Sequence, residues 1–410
     1  MVDWLFKIEI FLQGVGILVG WSALFASFDF FNAEFPHDQP SFIFPALSNV
    51  TAVILQPLVV FYGYKFSYIK RISINFSIIA SILVISPILA HCLEGSFPII
   101  CILIMIMGIS SSISQTSVFE MVGNLPSEYT NYVMIGSGLI GVFMSIFRMI
   151  CLISFSQDKS GYFAGTLMHF FLAAFILFIC IFAQLHLIRQ PFMVGSLDNS
   201  GKKITWTKFN EESDQMQNIS AENRDISFKN FVLTPKIEEI SNKTLLCQIW
   251  QPLFLAYLCN LVTQGMLIGV ALATNIKGLP YSYFSTLMVV TCNIFDFLGR
   301  LTPRFYILSI KWLWIITVSR FLFWATFILI ATGESRWFFS YPWFKFINMA
   351  AFAYSSGYTS TCAMVIGPTQ VQESSKSRAG AFMSLGLIYG IVSGSLLALA
   401  FKNIEISSAD

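Results

Sequence analysis

The sequence predicts an all-α polytopic membrane protein of eleven transmembrane helices, divided six plus five, and three observations carry that expectation. Of the 410 residues, 56% are hydrophobic and only 11% are charged, against about 25% charged in soluble domains. Apolar runs recur along most of the chain, and the mean hydropathy is +0.70. A single long polar segment, near 189–247, interrupts them. The net charge of +2 is too small to imply a nucleic-acid partner.

The expected spans fall near 8–30, 41–64, 71–93, 97–119, 131–155, 161–188, 248–275, 281–302, 309–332, 340–367 and 378–401. At 1.5 Å per residue they reach about 33–42 Å, enough to cross a bilayer with some tilt. The N-terminus enters its first span with no small-residue cleavage site, which favours a retained helix over a signal peptide. The expected units are an N-terminal bundle at 1–188, a flexible linker at 189–247 and a C-terminal bundle at 248–410. The linker is rich in Asn, Ser, Glu and Lys and poor in aromatics.

Lys and Arg in the short connections set the orientation. With the N-terminus inside, the inner side receives Lys7, Lys65, Lys70, Arg71, Arg304, Lys311, Lys376 and Arg378. The outer side receives Lys159, Lys277, Arg336, Lys345 and Lys402. The N-terminus and the linker are therefore expected in the cytoplasm and the C-terminus outside, with the plasma membrane as the default location. The sequons at Asn218 and Asn242 then fall on the cytoplasmic side, and Asn49 sits within a span.

The eight cysteines include no CxxC pair, and the four histidines include no HxxxH or HExxH spacing. Neither a disulfide framework nor a metal or cofactor site is implied. No nucleophile elbow, Walker A or kinase motif appears, so the sequence does not read as an enzyme. Gly136, Gly138 and Gly141 match the GxGxxG spacing, but they open an apolar span and have no strand before them. Close helix packing through small residues is the better account.

Polar groups at membrane depth are more informative. Gln115 lies on a serine-rich face of the fourth span; an amide there must face protein, water or a ligand. Trp21 is mid-span in the first helix, which suits either a core ring or a platform for a flat ligand. Arg148 and Arg320 also lie in spans, where each must snorkel or find a partner. Asp296 and Arg300 sit four residues apart in the eighth span and share a helix face. One charge in lipid costs about 2.5–3.5 kcal/mol on insertion scales, so two on one turn need a reason. Asp296 reads as the clear mid-span carboxylate of the chain.

Asn293-Ile294-Phe295-Asp296-Phe297-Leu298-Gly299-Arg300 resembles the NxxDxxGR signature of the equilibrative nucleoside transporters. The block from Gln115 through Gly123 and Pro126 to Gly141 and Phe143 is similar to that family's fourth-to-fifth-span region. Trp21 with Phe30-Phe31, and Gly357-Tyr358 through Gly367-Pro368 to Met383, add two further likenesses. The resemblance implies a major-facilitator-like bundle around a central cavity, and a small-molecule nucleoside or nucleobase as partner beside the lipid bilayer. It implies that Gln115 meets the nucleobase edge, that Asp296 and Arg300 contact ribose hydroxyls or shape the pocket, and that Asn293 belongs to the same block. By the same resemblance Trp21 lines the cavity, Leu55 and Leu58 flank Pro57 as apolar walls, and Arg71 is a basic group near the ligand. Phe25 and Ile391 follow by helical phase.

Two departures stand out. Trp21 is followed by Ser22 where the family often has Asn, and the seventh span reads Ile268 to Thr274 without Phe-Pro. The functional expectation is transport of nucleosides or nucleobases, purines in particular, by alternating access and as a monomer. Facilitated diffusion is favoured over proton coupling, because the obvious carrier, Asp296, has a cation on the next turn. A carrier of another organic solute, or more remotely a membrane receptor, is the alternative.

Overall fold

A computed structural model describes residues 2–63, 68–156, 158–187, 241–267, 281–332 and 341–400. Its helices are α1 (Val2–Ala26), α2 (Phe28–Glu34), α3 (Pro40–Tyr62), α4 (Tyr68–Cys92), α5 (Phe97–Gly123), α6 (Ser127–Ser154) and α7 (Lys159–Leu187). A second half follows with α8 (Asn242–Met266), α9 (Tyr281–Leu301), α10 (Ile310–Ser319), α11 (Leu322–Thr332), α12 (Pro342–Thr369) and α13 (Lys376–Ala400). Among the described residues nine passages are long and apolar enough to cross a membrane. The helices α9 and α12, more polar and packed along each other, complete the expected eleven. Residues 188–240, most of the expected linker, and the Ile268–Thr274 stretch lie outside the described residues.

Local sequence explains where helices start and bend. Pro40 opens α3 and Pro342 lies at the start of α12, positions where the missing N–H costs nothing. The helix α8 begins at Asn242, six residues before the expected span, and its early turns bury Leu245 and Ile249. These apolar residues are spaced one turn apart among polar ones, so the segment reads as linker by composition and folds as a helix by phase. The expected ninth span is broken into α10 and α11 at Arg320. Its guanidinium, fully buried, donates to Cys259 O at 2.8 Å, Cys259 Sγ at 2.9 Å, Thr263 Oγ1 at 2.7 Å and Ser355 Oγ at 3.2 Å. It also lies 5.0 Å from the Phe352 ring. Arg320 thus neither snorkels nor meets an acid; it is held by neutral acceptors from α8 and α12.

The first half closes at both ends around α1. Phe6 meets Tyr129 edge-on at 5.1 Å where α1 and α6 begin, and this end is called the proximal face. At the distal face Arg148 Nη2 donates to Asp29 Oδ2 at 2.6 Å and Nη1 to Thr166 Oγ1 at 3.0 Å. The acid that Arg148 needs therefore comes from α2. Phe31, Phe44, Phe97 and Phe35 form a run of ring contacts beneath it. His91 bonds Glu34 at 2.9 Å and stacks on Phe163, while His186 bonds Glu9 nearer the proximal face. On α7, Phe171, Phe175, Phe178 and Phe182 stand exposed in one stripe, an apolar face suited to lipid.

The halves meet along a seam in which α6 lies against α9, and α3 and α5 lie against α13. Small residues set how closely they approach. A methyl group on Gly138 would stand 2.7 Å from Arg300 Cδ, and one on Gly141 would stand 3.1 Å from Asn293 Oδ1. The GxGxxG spacing is thus a packing face shared between two neighbours: Gly138 and Gly141 meet the charged motif of α9, and Gly136 meets the α1 backbone at Phe11.

Candidate functional site

A cavity of about 620 Å³, counting the part open to solvent, lies between α1, α3, α4 and α5 and the facing side of α13. The enclosed space free for a molecule is about 70 Å³ in this state, below the roughly 300–1,000 Å³ of drug-sized sites, so a ligand of nucleoside size fits only once the walls part. Its wall residues sit near the middle of their helices, as a midplane carrier site would require. The approach of α3 to α5 shapes it. A methyl group on Gly108 would stand 2.6 Å from Ser48 Oγ, and Thr51 Oγ1 donates to Met105 O at 3.3 Å.

Three of the expected site residues come together here: Trp21 on α1, Gln115 on α5 and Ile391 on α13. Trp21 is half-buried, its ring 6.4 Å from Phe25 and tilted by 31°. The serines around Gln115 are mostly satisfied within α5: Ser114 Oγ donates to Ser110 O at 2.8 Å and Ser117 Oγ to Ile113 O at 2.7 Å. Gln115 has no hydrogen-bond partner among the described residues, and the buried Ser112 hydroxyl beside it has none either. An amide with two donors and an acceptor thus faces the cavity uncommitted.

The other expected residues stand elsewhere. Arg300 Nε donates to Asp296 Oδ2 at 2.6 Å, and its Nη1 donates across the seam to Ser137 Oγ at 2.8 Å. Their side chains keep 17% and 20% of their exposure, and neither lines the cavity around Gln115. Asn293 packs on Gly141 in the same seam. Leu55 is half-buried and outside the lining, and Leu58 is 52% exposed on the outer surface of α3. Phe25 stands behind Trp21, between it and Phe28.

Arg71 lies at the proximal end of α4, where Nη2 donates to Glu120 Oε2 at 2.9 Å. Glu120 is a buried carboxylate inside α5, so Asp296 is not alone among acids at depth. Around this pair Tyr68 OH and Ser377 Oγ stand 3.2 Å apart, and Ser377 Oγ donates to Glu120 O at 3.0 Å. The group ties α4 and α5 to the start of α13.

Sequence reasoning missed several polar groups of the seam. Gln56, fully buried on α3, donates to Thr116 Oγ1 at 3.2 Å and Ser384 Oγ at 3.3 Å. Asn49, in the cavity wall, donates to Ser395 Oγ at 3.0 Å. The rule that singles out Gln115, an amide inside an apolar run, applies equally to Gln56 and Asn49. Ser384 and Ser395 carry no such signal among the many serines of the chain. No group of three metal-ligating side chains occurs among the described residues.

Comparison with known proteins agrees with this architecture. The chain is 27% identical to human equilibrative nucleoside transporter 1, over 96% of each chain. It is 22% identical to equilibrative nucleotide transporter 8 of Arabidopsis thaliana, over 94% of this chain and 92% of that one. The fold is similar to the proton:xylose symporter XylE, a major facilitator superfamily protein, with a TM-score of 0.66, 12% identity, and coverage of 96% and 88%. A human organic anion transporter, MFSD10, superposes with a TM-score of 0.58 and 11% identity, covering 97% and 94%. The architecture is therefore major-facilitator-like. The profile of the family described as nucleoside transporter matches residues 101–403, and the chain belongs to that family.

Proposed function

We propose that this multi-pass membrane protein carries nucleosides, and purine nucleobases with them, through the cavity between its halves by alternating access. The observation that carries the site assignment is the bare Gln115 amide inside a mid-bundle cavity that also holds the half-buried Trp21 ring. A purine edge offers both donors and acceptors to one amide, and its face offers area to an indole. An uncharged ligand needs no fixed charge in the wall, and the cavity lining contains none. The substrate gradient sets the direction of movement, as uniport. The paired Asp296 and Arg300 serve to shape the seam beside the cavity, and contact with ribose is the second role open to them in another state of the cycle.

The chain works as a monomer in the plasma membrane, with its N-terminus and the 189–247 segment in the cytoplasm and its C-terminus outside. The Lys and Arg distribution supports this orientation. Uptake of labelled purine nucleosides and bases in cells lacking their own carriers tests the reading, followed by counterflow, in which unlabelled substrate on the far side drives label inward. Saturable purine uptake with counterflow is expected. Uptake of an unrelated organic solute alone, or binding with no counterflow, overturns it in favour of another carrier or a receptor.

A further inference from the structure

The cavity has a second polar end. Asn49 lines it from α3, with Nδ2 donating to Ser395 Oγ at 3.0 Å, and Ser395 Oγ donating in turn to Ile391 O at 2.9 Å. The carboxamide is thus held by one nitrogen, and its Oδ1 has no hydrogen-bond partner among the described residues. The position of Asn49 relative to Gln115 follows from the pairing of α3 with α5. Gln56 bonds Thr116, so Gln115 stands near the level of Gln56, and Asn49 lies seven residues earlier on α3. At 1.5 Å per residue that is about 10 Å along the helix. Ile388 and Ile391 line the same cavity from α13, in sequence between Ser384 and Ser395, which mark the two levels.

A slot with an amide at each end suits a ligand with two chemically different ends. Gln115 keeps donors and acceptor free, which matches the mixed edge of a base. Asn49 has one of its two N–H donors on Ser395, which fixes the amide and leaves its carbonyl oxygen as a placed acceptor for a hydroxyl donor. We propose that Asn49, oriented by Ser395, is the sugar-hydroxyl contact of the cavity, and that this end separates a nucleoside from its free base. The proposal rests on the reading of the cavity as the substrate site. Because Ser395 belongs to the second half, the contact is complete only when α3 and α13 are together, so sugar recognition and seam closure share one hydrogen bond.

The test is inhibition of labelled nucleoside uptake by a purine nucleoside, its free base and its 2′- and 3′-deoxy analogues. The wild type is compared with Asn49→Ala and Ser395→Ala at matched surface abundance. Asn49→Ala is expected to weaken the nucleoside about fivefold more than the base, the worth of one neutral hydrogen bond. The deoxy analogue that is penalised in the wild type should lose its penalty in Asn49→Ala. Ser395→Ala should act in the same direction and less strongly. Equal weakening of nucleoside and base, or deoxy penalties that persist unchanged, would overturn the proposal. If Asn49→Ala fails to reach the surface, Asn49→Ser carries the same comparison. Absence of any nucleoside or base uptake by the wild type would instead remove the reading of the cavity itself.

Discussion

Arg300 reaches out of its own half of the bundle to Ser137 while it holds Asp296 on the preceding turn. The guanidinium can do both because its donors form a fixed fork, one edge to the carboxylate and one tip to the hydroxyl. Three variants at matched surface abundance separate these bonds. Ser137→Ala leaves the ion pair intact, and uptake is expected to fall only a few-fold. Arg300→Ala leaves a carboxylate unpaired in the seam, and uptake should fall by more than tenfold. Arg300→Lys, which cannot span both partners, should resemble Arg300→Ala; near-normal uptake by the lysine variant would sink this account.

Gln56 offers a contrast between charge and shape. Its amide bridges Thr116 and Ser384, which also bond each other at 3.1 Å, while its Oε1 is buried with no partner. Gln56→Leu removes the orphaned oxygen and leaves the other two residues paired. The detergent-solubilised protein should unfold within about 1 kcal/mol of the wild type. Gln56→Glu places a carboxylate where no described cation reaches, and should lower the midpoint by several degrees. A leucine variant markedly less stable than the glutamate variant would contradict the structure.

Close helix approach makes a third prediction. At Gly357 an added methyl group would run into the backbone carbonyl of Asp296, which a side-chain rearrangement cannot relieve. Gly357→Ala should cost about 1–3 kcal/mol and reduce surface expression. Gly95, with φ of 73°, has nothing within 4 Å, so Gly95→Ala meets only backbone strain of about 1–2 kcal/mol. The two variants are separated by uptake rather than by melting: loss of surface expression and uptake is expected for Gly357→Ala and not for Gly95→Ala.

Arg320 supplies the fourth. Lysine at this position keeps the charge but cannot place donors toward Cys259, Thr263 and Ser355 together. Arg320→Lys is expected to lose at least about 2 kcal/mol of stability, since hydrogen bonds from a charged donor are each worth about 1.5–3 kcal/mol. An unchanged melting profile would show that the bend between α10 and α11 does not depend on the guanidinium fork.

The helical passages were legible in the sequence because lipid demands long apolar runs, and each expected span has a counterpart among the described helices. The start of α8 was not, because Leu245 and Ile249 bury one face of a segment whose composition is polar. Of the candidate site, Trp21 and Gln115 were readable as residues out of place in a span. Leu55, Leu58 and Arg71 came from resemblance alone; Leu58 is turned out of the lining, and Arg71, in the first turn of α4, is engaged by Glu120. Asn49 was noted as a glycosylation pattern although its amide lies inside an apolar run as that of Gln115 does, and Glu120 was hidden by its place near the edge of an expected span. Their partners, Ser395 and Arg71, lie on other helices, and pairing between helices leaves no mark in a single sequence.

The ion pairs described above share a property of their placement. Arg71 with Glu120 and Arg148 with Asp29 lie within the first half, as do the hydrogen bonds of His186 to Glu9 and His91 to Glu34, and Arg300 with Asp296 lies on one helix of the second. What crosses the seam by hydrogen bond is neutral or leaves the charge neutralised: Gln56 to Ser384, Asn49 to Ser395, Ser377 to Glu120 O, and Arg300 to Ser137. None of these pairs spans the two halves, and the Arg304 guanidinium, 5.5 Å from the Tyr132 ring, is a charged group that does reach across. Each neutral tie lost costs about 1 kcal/mol and the Arg300–Ser137 bond about 1.5–3, where a broken buried ion pair would cost about 3–5. For these pairs the swing of the halves is electrically quiet, because each travels whole with its own half.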